Sequence, residues 1–223
     1  MKRRVAIVGY QGRLGSVAAR AVEASAEFEL VARIGRDMPL PETLRSARVE
    51  LALDATEAGL GAAHARTMLE CGVRPVIGTS GVKPEEVAAL DRIARAQNLG
   101  GLVVPNFSVG LVLLEAAAVE AARHYSACEL IEMHHERKKD APSGTAAHLA
   151  RLVEPVQGHP VPIHSVRLPG LYAHQLAIFG APGETYTLRH DMNGPEGFAP
   201  GILAALRYVI SAQGVMVGLR YAL

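Results

Sequence analysis

Val5-Ala6-Ile7-Val8-Gly9-Tyr10-Gln11-Gly12-Arg13-Leu14-Gly15 decides how this chain folds. Its four apolar residues run straight into glycine, a stretch far too short for a signal-peptide core and the right size for a buried strand. Glycines follow at 9, 12 and 15 as the chain enters an alanine-rich segment, so the motif sits where a strand ends and a helix begins. In that context Gly9 permits a sharp turn, Gly12 lets backbone approach a pyrophosphate, and Gly15 lets helix pack on strand. The middle glycine falls one place later than in G-x-G-x-x-G, with Gln11 in its slot. Gly9, Gln11, Gly12, Arg13, Leu14 and Gly15 are therefore the expected cofactor-binding loop, the pyrophosphate resting on amides at a helix N-terminus. A tight βα turn without ligand is the competing reading.

Outward from this loop, the first hundred residues alternate short β-rich runs with helical stretches, which calls for a doubly wound parallel α/β sheet. Strands are predicted at Arg4 to Val8, Phe28 to Ile34, Val49 to Leu53, Val73 to Ile77 and Leu102 to Val104. Helices are predicted at Arg13 to Ala24, Gly59 to Glu70 and Pro84 to Gln97. After Pro105 the character changes. A helix from Val109 to His124 leads to a strand, Glu129 to His134, a polar loop and a helix beginning near Ser143. Ile163 to Leu168, His174 to Phe179 and Glu184 to His190 follow without long crossovers, so antiparallel pairing is expected in a second, smaller α+β unit. Phe198 to Ser211 reads as helix, and Val215 to Tyr221 as a strand returning to the first domain. The expected division is 1–106 with 196–223 for dinucleotide binding, and 107–195 for substrate binding and oligomerisation.

Composition agrees with two modest domains in 223 residues. Hydrophobic residues make up 49% of the chain but come in short runs, so no membrane span is predicted. A formal charge of +1 supplies no field for nucleic acid or an anionic membrane, leaving a small molecule as the partner. Cys71 and Cys128 lack metal-ligand spacing and are too few for a disulfide scaffold, which places the protein in a reducing cytoplasm.

Two further stretches carry chemistry. The second strand ends Arg33-Ile34-Gly35-Arg36-Asp37, putting Arg36 where an adenine ribose is met; this favours NADPH, while Asp37 keeps NADH open. A solvated strand end explains Arg33 and Arg36 equally well. The run from Glu132 to Ala146 concentrates acid, base and anion-binding groups. Ser143 can cap a helix whose first amides, at Gly144 and Thr145, would meet a carboxylate. His134 and His135 face oppositely along a strand, which gives them different tasks. Histidine suits proton transfer near neutrality, and Lys138 would hold negative charge building on the substrate. Two anionic subsites this close point to a small dicarboxylate. A polar strand rim and a solvated Arg137-Lys138-Lys139 loop are the bland alternative. A metal is not expected, since neighbouring side chains on a strand diverge and no second cluster completes a tetrahedron.

The run His134-His135-x-x-Lys138-x-Asp140-Ala141-Pro142-Ser143-Gly144-Thr145-Ala146 resembles the signature of the dihydrodipicolinate reductase family. Gly12-Arg13-Leu14-Gly15, Val76-Ile77-Gly78-Thr79-Ser80-Gly81 and Pro105-Asn106-Phe107-Ser108-Val109-Gly110 agree in the same order, so the resemblance covers nearly the whole chain. It implies a Rossmann-like cofactor domain, completed by the C-terminal segment, and a substrate domain whose sheets build a homotetramer. It implies reduction of 4-hydroxy-tetrahydrodipicolinate or dihydrodipicolinate with NADPH or NADH, in lysine and diaminopimelate biosynthesis. Residue by residue, His134 matches the acid and Lys138 the charge-stabilising lysine, while His135, Ser143, Gly144 and Thr145 match substrate-carboxylate contacts. Gly78 and Ser80 match positions beside the nicotinamide ribose and Phe107 a cofactor contact, with Thr79 counted among the cofactor-binding residues. There are departures. Asn193-Gly194-Pro195 stands where the family commonly has Ser-Ser-Arg, Gly35 where an acidic ribose contact is common, and Glu154 to Pro162 replaces a longer connection.

Overall fold

A computed structural model describes residues 1–223, which divide into two units, Met1–Val109 with Phe198–Leu223, and Gly110–Gly197. The first unit is a six-stranded, all-parallel sheet, the Rossmann-like architecture expected. Its strands are β1 (Arg3–Val8), β2 (Phe28–Ile34), β3 (Leu51–Asp54), β4 (Arg74–Ile77), β5 (Gly100–Val103) and β10 (Gly214–Val217), in the order β10-β5-β4-β3-β1-β2. Both faces of the inner strands β1, β3, β4 and β5 are largely covered, which is why they read as nearly continuous apolar runs rather than alternating ones, whereas the edge strand β2 carries exposed Glu29 and Arg33. Residues 5–8 and 51–54 are buried without exception.

The helices of this unit are α1 (Arg13–Ala24), α2 (Leu40–Ser46), α3 (Gly61–Glu70), α4 (Pro84–Ala96) and α7 (Ala199–Ser211). Ala65 and Leu69 of α3 pack with Leu90 and Ala94 of α4 against Ile77, Val103 and Val215. The last of these contacts shows how the C-terminal return is held: β10 pairs in parallel with β5, and Gly100 comes so close to the end of α7 that a Cβ there would lie 2.6 Å from the Ala212 carbonyl oxygen. The short α2 is absent from the sequence expectation. It begins Leu40-Pro41 and buries one side chain, Leu44, too little for a helical period to show.

The second unit holds α5 (Val109–Ala121), β6 (Ala127–His134), α6 (Gly144–Gln157), β7 (Ile163–Arg167), β8 (Ala173–Ala181) and β9 (Glu184–Met192). Its sheet runs β7-β6-β8-β9. β6, β8 and β9 pair antiparallel as expected, but β7 pairs parallel with β6, a correction. The cause is α6, which carries the chain back along the sheet so that β7 starts at the same end as β6. Leu114 and Ala118 of α5, Leu149 and Val153 of α6, and Leu130, Ala177 and Phe179 of the sheet form one buried cluster. α6 closes on Gly158 at φ 78° and only residues 158–162 join it to β7, so the first four residues of the Glu154 to Pro162 stretch are helix end and the rest a short connection. No helix in the chain is long and apolar enough to cross a membrane.

Candidate active site

In the first unit, the order in which strands are added to the sheet changes direction between β1 and β3, and the loops leaving the carboxyl ends of β1, β2 and β3 enclose a cavity of about 710 Å³. Such a switch point is where doubly wound sheets hold ligands, and the volume suits a large organic one. Gly9, Gln11, Gly12, Arg13 and Arg36 line it together with Thr56 and His64. Leu14, Gly15, Gly78, Thr79, Ser80 and Phe107 do not. Gly9 holds φ +77°, and a Cβ there would lie 2.7 Å from the Ala55 carbonyl oxygen. At Gly15 a Cβ would stand 2.2 Å from the Gly9 oxygen. Gly12 differs, because its backbone is extended at φ −70° and its nearest neighbour would be 3.4 Å away. A Cβ at Gly12 would make only ordinary contacts, with the Gly9 and Ala55 oxygens, so packing alone does not demand a glycine there. No side chain caps α1 and no acid lies in its first turn, so the helix start is available to an anion. On these grounds the loop fits a dinucleotide pyrophosphate. Arg36, at the rim, is ion-paired with Glu57, and both are largely exposed.

Beside the cavity is a network that sequence reasoning missed. Asp54 ends β3 with its side chain fully buried, accepting from Thr56 N at 3.1 Å, Thr56 Oγ1 at 2.8 Å, the Thr79 hydroxyl and His64 Nδ1 at 2.6 Å. Burial would raise its pKa, but these donors hold it below the usual carboxylate range. The same bond from Asp54 raises the pKa of His64 against the opposing effect of burial. Thr79 is thus committed to Asp54, and Gly78 serves packing, a Cβ there meeting Leu14 and Phe107 side chains at 2.8 Å. The only local sign was an acid closing the apolar run Leu51-Ala52-Leu53-Asp54.

In the second unit, the turn after β6 assembles the other predicted residues. Glu132 Oε2 accepts from His134 Nδ1 at 2.5 Å; a carboxylate only accepts, so the proton sits on Nδ1 and Nε2 is the nitrogen left to exchange one. Burial lowers the His134 pKa, Glu132 opposing and Lys138 and Arg167 adding to the fall. His135 lies beyond the strand end with its Nδ1 buried and unpartnered. Lys138 Nζ pairs with Asp140 at 2.8 Å, so its charge is shared. Ser143 is the N-cap of α6, its Oγ accepting from Ala146 N at 3.2 Å and lying 3.2 Å from Thr145 Oγ1. Space beside Gly144 is open. Arg167, from β7, donates to Glu132 through both terminal nitrogens, at 3.0 and 2.6 Å.

Residues 3–107 match the model of the dihydrodipicolinate reductase N-terminus, and residues 110–223 that of the dihydrodipicolinate reductase C-terminus. The chain belongs to the dihydrodipicolinate reductase family. A 4-hydroxy-tetrahydrodipicolinate reductase of Coxiella burnetii is 39% identical over 235 residues, covering 98% of each chain. One from Geobacillus thermodenitrificans is 36% identical over 264 residues, covering all of both. Among solved structures, a dipicolinate-bound dihydrodipicolinate reductase from Paenisporosarcina sp. TG-14 superimposes with a TM-score of 0.92 at 32% identity over the whole of both chains.

Within this reductase-family chain, Glu132 and Arg167 are the site residues that sequence reasoning passed over. Period two along β6 places Glu132 on the face of His134, which was legible. Arg167 is 33 residues from His134, and only the parallel register, His134 opposite Arg167, brings it there. A third histidine–carboxylate pair, His174 Nδ1 donating to Asp191 Oδ1 at 2.7 Å, joins β8 to β9 and was also unforeseen.

Proposed function

We propose that this chain reduces 4-hydroxy-tetrahydrodipicolinate, or its dehydrated form, to tetrahydrodipicolinate in lysine and diaminopimelate biosynthesis, with His134 as the proton donor. NADPH or NADH, when bound, supplies the hydride. Gly9, Gln11, Gly12 and Arg13 hold the pyrophosphate, with Gly15 keeping α1 close to β1, and Arg36 meets the adenine ribose. His135, the Ser143 hydroxyl and the amides of Gly144 and Thr145 take the substrate carboxylates, and Lys138 offsets charge on the ring. The observation that carries this reading is one turn, residues 134–145, that brings a histidine with Nδ1 committed and Nε2 left to exchange a proton next to a capped helix start with open space beside it. The unpartnered His135 Nδ1 supports it, since a buried donor or acceptor without a protein partner is costly unless a ligand completes it. The dipicolinate held by the Paenisporosarcina relative is a doubly carboxylated ring of the kind proposed.

NADPH and NADH oxidation, followed at the nicotinamide band with enzymatically generated cyclic substrate, tests function and cofactor together. Wild type should oxidise both and favour NADPH. Arg36→Ala should weaken NADPH about tenfold, ~1.4 kcal/mol, and leave NADH unchanged. No oxidation of either nucleotide removes the proposal.

We assign the cytoplasm as its compartment and a homotetramer as its assembly. Ile131 and Met133 of β6, Leu176 and Ile178 of β8, and Val166 of β7 are half-buried, the β6 and β8 residues lying on the sheet face opposite Leu130 and Ala177. An apolar sheet face of this kind seeks a cover. Light scattering on the purified chain should give the mass of four copies; a monomer at micromolar concentration rejects the assembly.

A further inference from the structure

We infer that Glu132 is the positioning residue for His134, fixing which ring nitrogen gives up the proton, and that Arg167 keeps Glu132 in its carboxylate form. The inference rests on His134 being the proton donor. Glu132 is fully buried, and each of its oxygens accepts two hydrogen bonds. Oε2 takes His134 Nδ1 at 2.5 Å and Arg167 Nη1 at 3.0 Å; Oε1 takes Arg167 Nη2 at 2.6 Å and Ser143 N at 3.2 Å. A carboxylate offers about four acceptor positions, so this one has none left for a proton of its own.

The same carboxylate ties together three parts of the turn. It holds the imidazole, it holds the backbone at the cap of α6, and through Arg167, whose Nη2 also donates to the Asp140 carbonyl at 2.8 Å, it holds the turn carrying Lys138. A buried acid without its arginine would protonate rather than stay charged, and a neutral acid would no longer fix the histidine's tautomer. The charged groups acting on His134 are Glu132 on its own strand, Arg167 from β7 and Lys138 from the turn, while Ser165 of β7 acts on Glu132 and Asp140 pairs with Lys138. Burial alone would raise the Glu132 pKa, but Arg167 first, with Ser165 and His134 beside it, brings it below the ordinary value. Glu132 in turn draws the His134 pKa upward against burial, Lys138 and Arg167.

The test is Glu132→Gln, read by kcat and KM against pH and by 15N shifts of the histidine rings. His134 must be protonated to donate, so activity falls as pH rises through its pKa; without the carboxylate that limb should move to lower pH. In the same variant kcat should drop at least about tenfold, KM staying within about twofold, as when the orienting acid of a catalytic triad is replaced. The His134 ring should lose its Nδ1–H form in favour of Nε2–H. Should Glu132→Gln fail to fold with Arg167 left unpaired, the double variant Glu132→Gln/Arg167→Met removes both charges, and the tautomer change is expected there too. An unmoved limb with an unmoved tautomer overturns the inference, even if kcat falls, because that pattern is a structural effect alone. His134→Gln, assayed alongside, separates the two readings. Wild-type turnover in it overturns the proton-donor reading and the inference with it, whereas lost turnover there with an unchanged tautomer in Glu132→Gln overturns the inference only.

Discussion

His134→Gln should lower kcat by about a hundredfold or more, with nucleotide affinity unchanged. Glutamine keeps the hydrogen bond to Glu132, because its amide donates where Nδ1 did, so Arg167 and the cap of α6 remain held. What it lacks is a second, exchangeable proton. The loop and cavity proposed for the nucleotide are built from residues between Val8 and His64, all in the first unit, whereas His134 belongs to the second. The pH profile adds a sharper check. Burial holds the His134 pKa below the ordinary histidine value, so kcat/KM of the wild type, which reports the free enzyme, should decline from a point under pH 6.5 as the donor loses its proton. That decline should be missing from the variant. Steady-state rates equal to wild type, or an unchanged limb, would remove His134 from its role.

The sequence carried the first unit far because a buried parallel strand and a glycine turn are local signals. α1 and β2 have the bounds read from the sequence, Arg13–Ala24 and Phe28–Ile34, and the collisions awaiting a Cβ at Gly9 and Gly15 account for those glycines. Three things were hidden for physical reasons. α2 buries a single leucine, so it has no period to detect. The parallel placement of β7 depends on how α6 packs, which alternation within β7 does not record. The partners of the reactive groups are tertiary: Arg167 reaches Glu132 only through sheet register, and His64 reaches Asp54 from a helix ten residues on. Local pattern thus places His134 and Ser143 on their turn and Glu132 on the face of His134, but that two strands and a helix cap share the buried acid is tertiary.

Gly12→Ala and Gly15→Ala should separate structural from ligand-driven glycines in one loop. At Gly15 the added methyl would meet backbone, the Gly9 oxygen at 2.2 Å and Tyr10 Cα at 2.8 Å, atoms that move only if α1 backs away from β1. Overpacking of that kind should cost about 3 kcal/mol, seen as a lower urea midpoint. At Gly12 the backbone is extended and the nearest atom to the methyl would be 3.4 Å away, an ordinary contact, so stability should change by less than about 0.5 kcal/mol. Gly12 nevertheless lines the cavity and immediately precedes α1, so the methyl is expected to take space beside the first amides of that helix. If a pyrophosphate rests there, calorimetric affinity for NADPH should fall at least about tenfold, ~1.4 kcal/mol, in a protein that is otherwise as stable as wild type. A tight turn with no ligand predicts the opposite pairing, since without a pyrophosphate to exclude, Gly12→Ala has nothing to weaken. Unchanged nucleotide affinity in that variant would therefore reduce the loop to a piece of β1–α1 packing and take the cofactor site elsewhere in the unit.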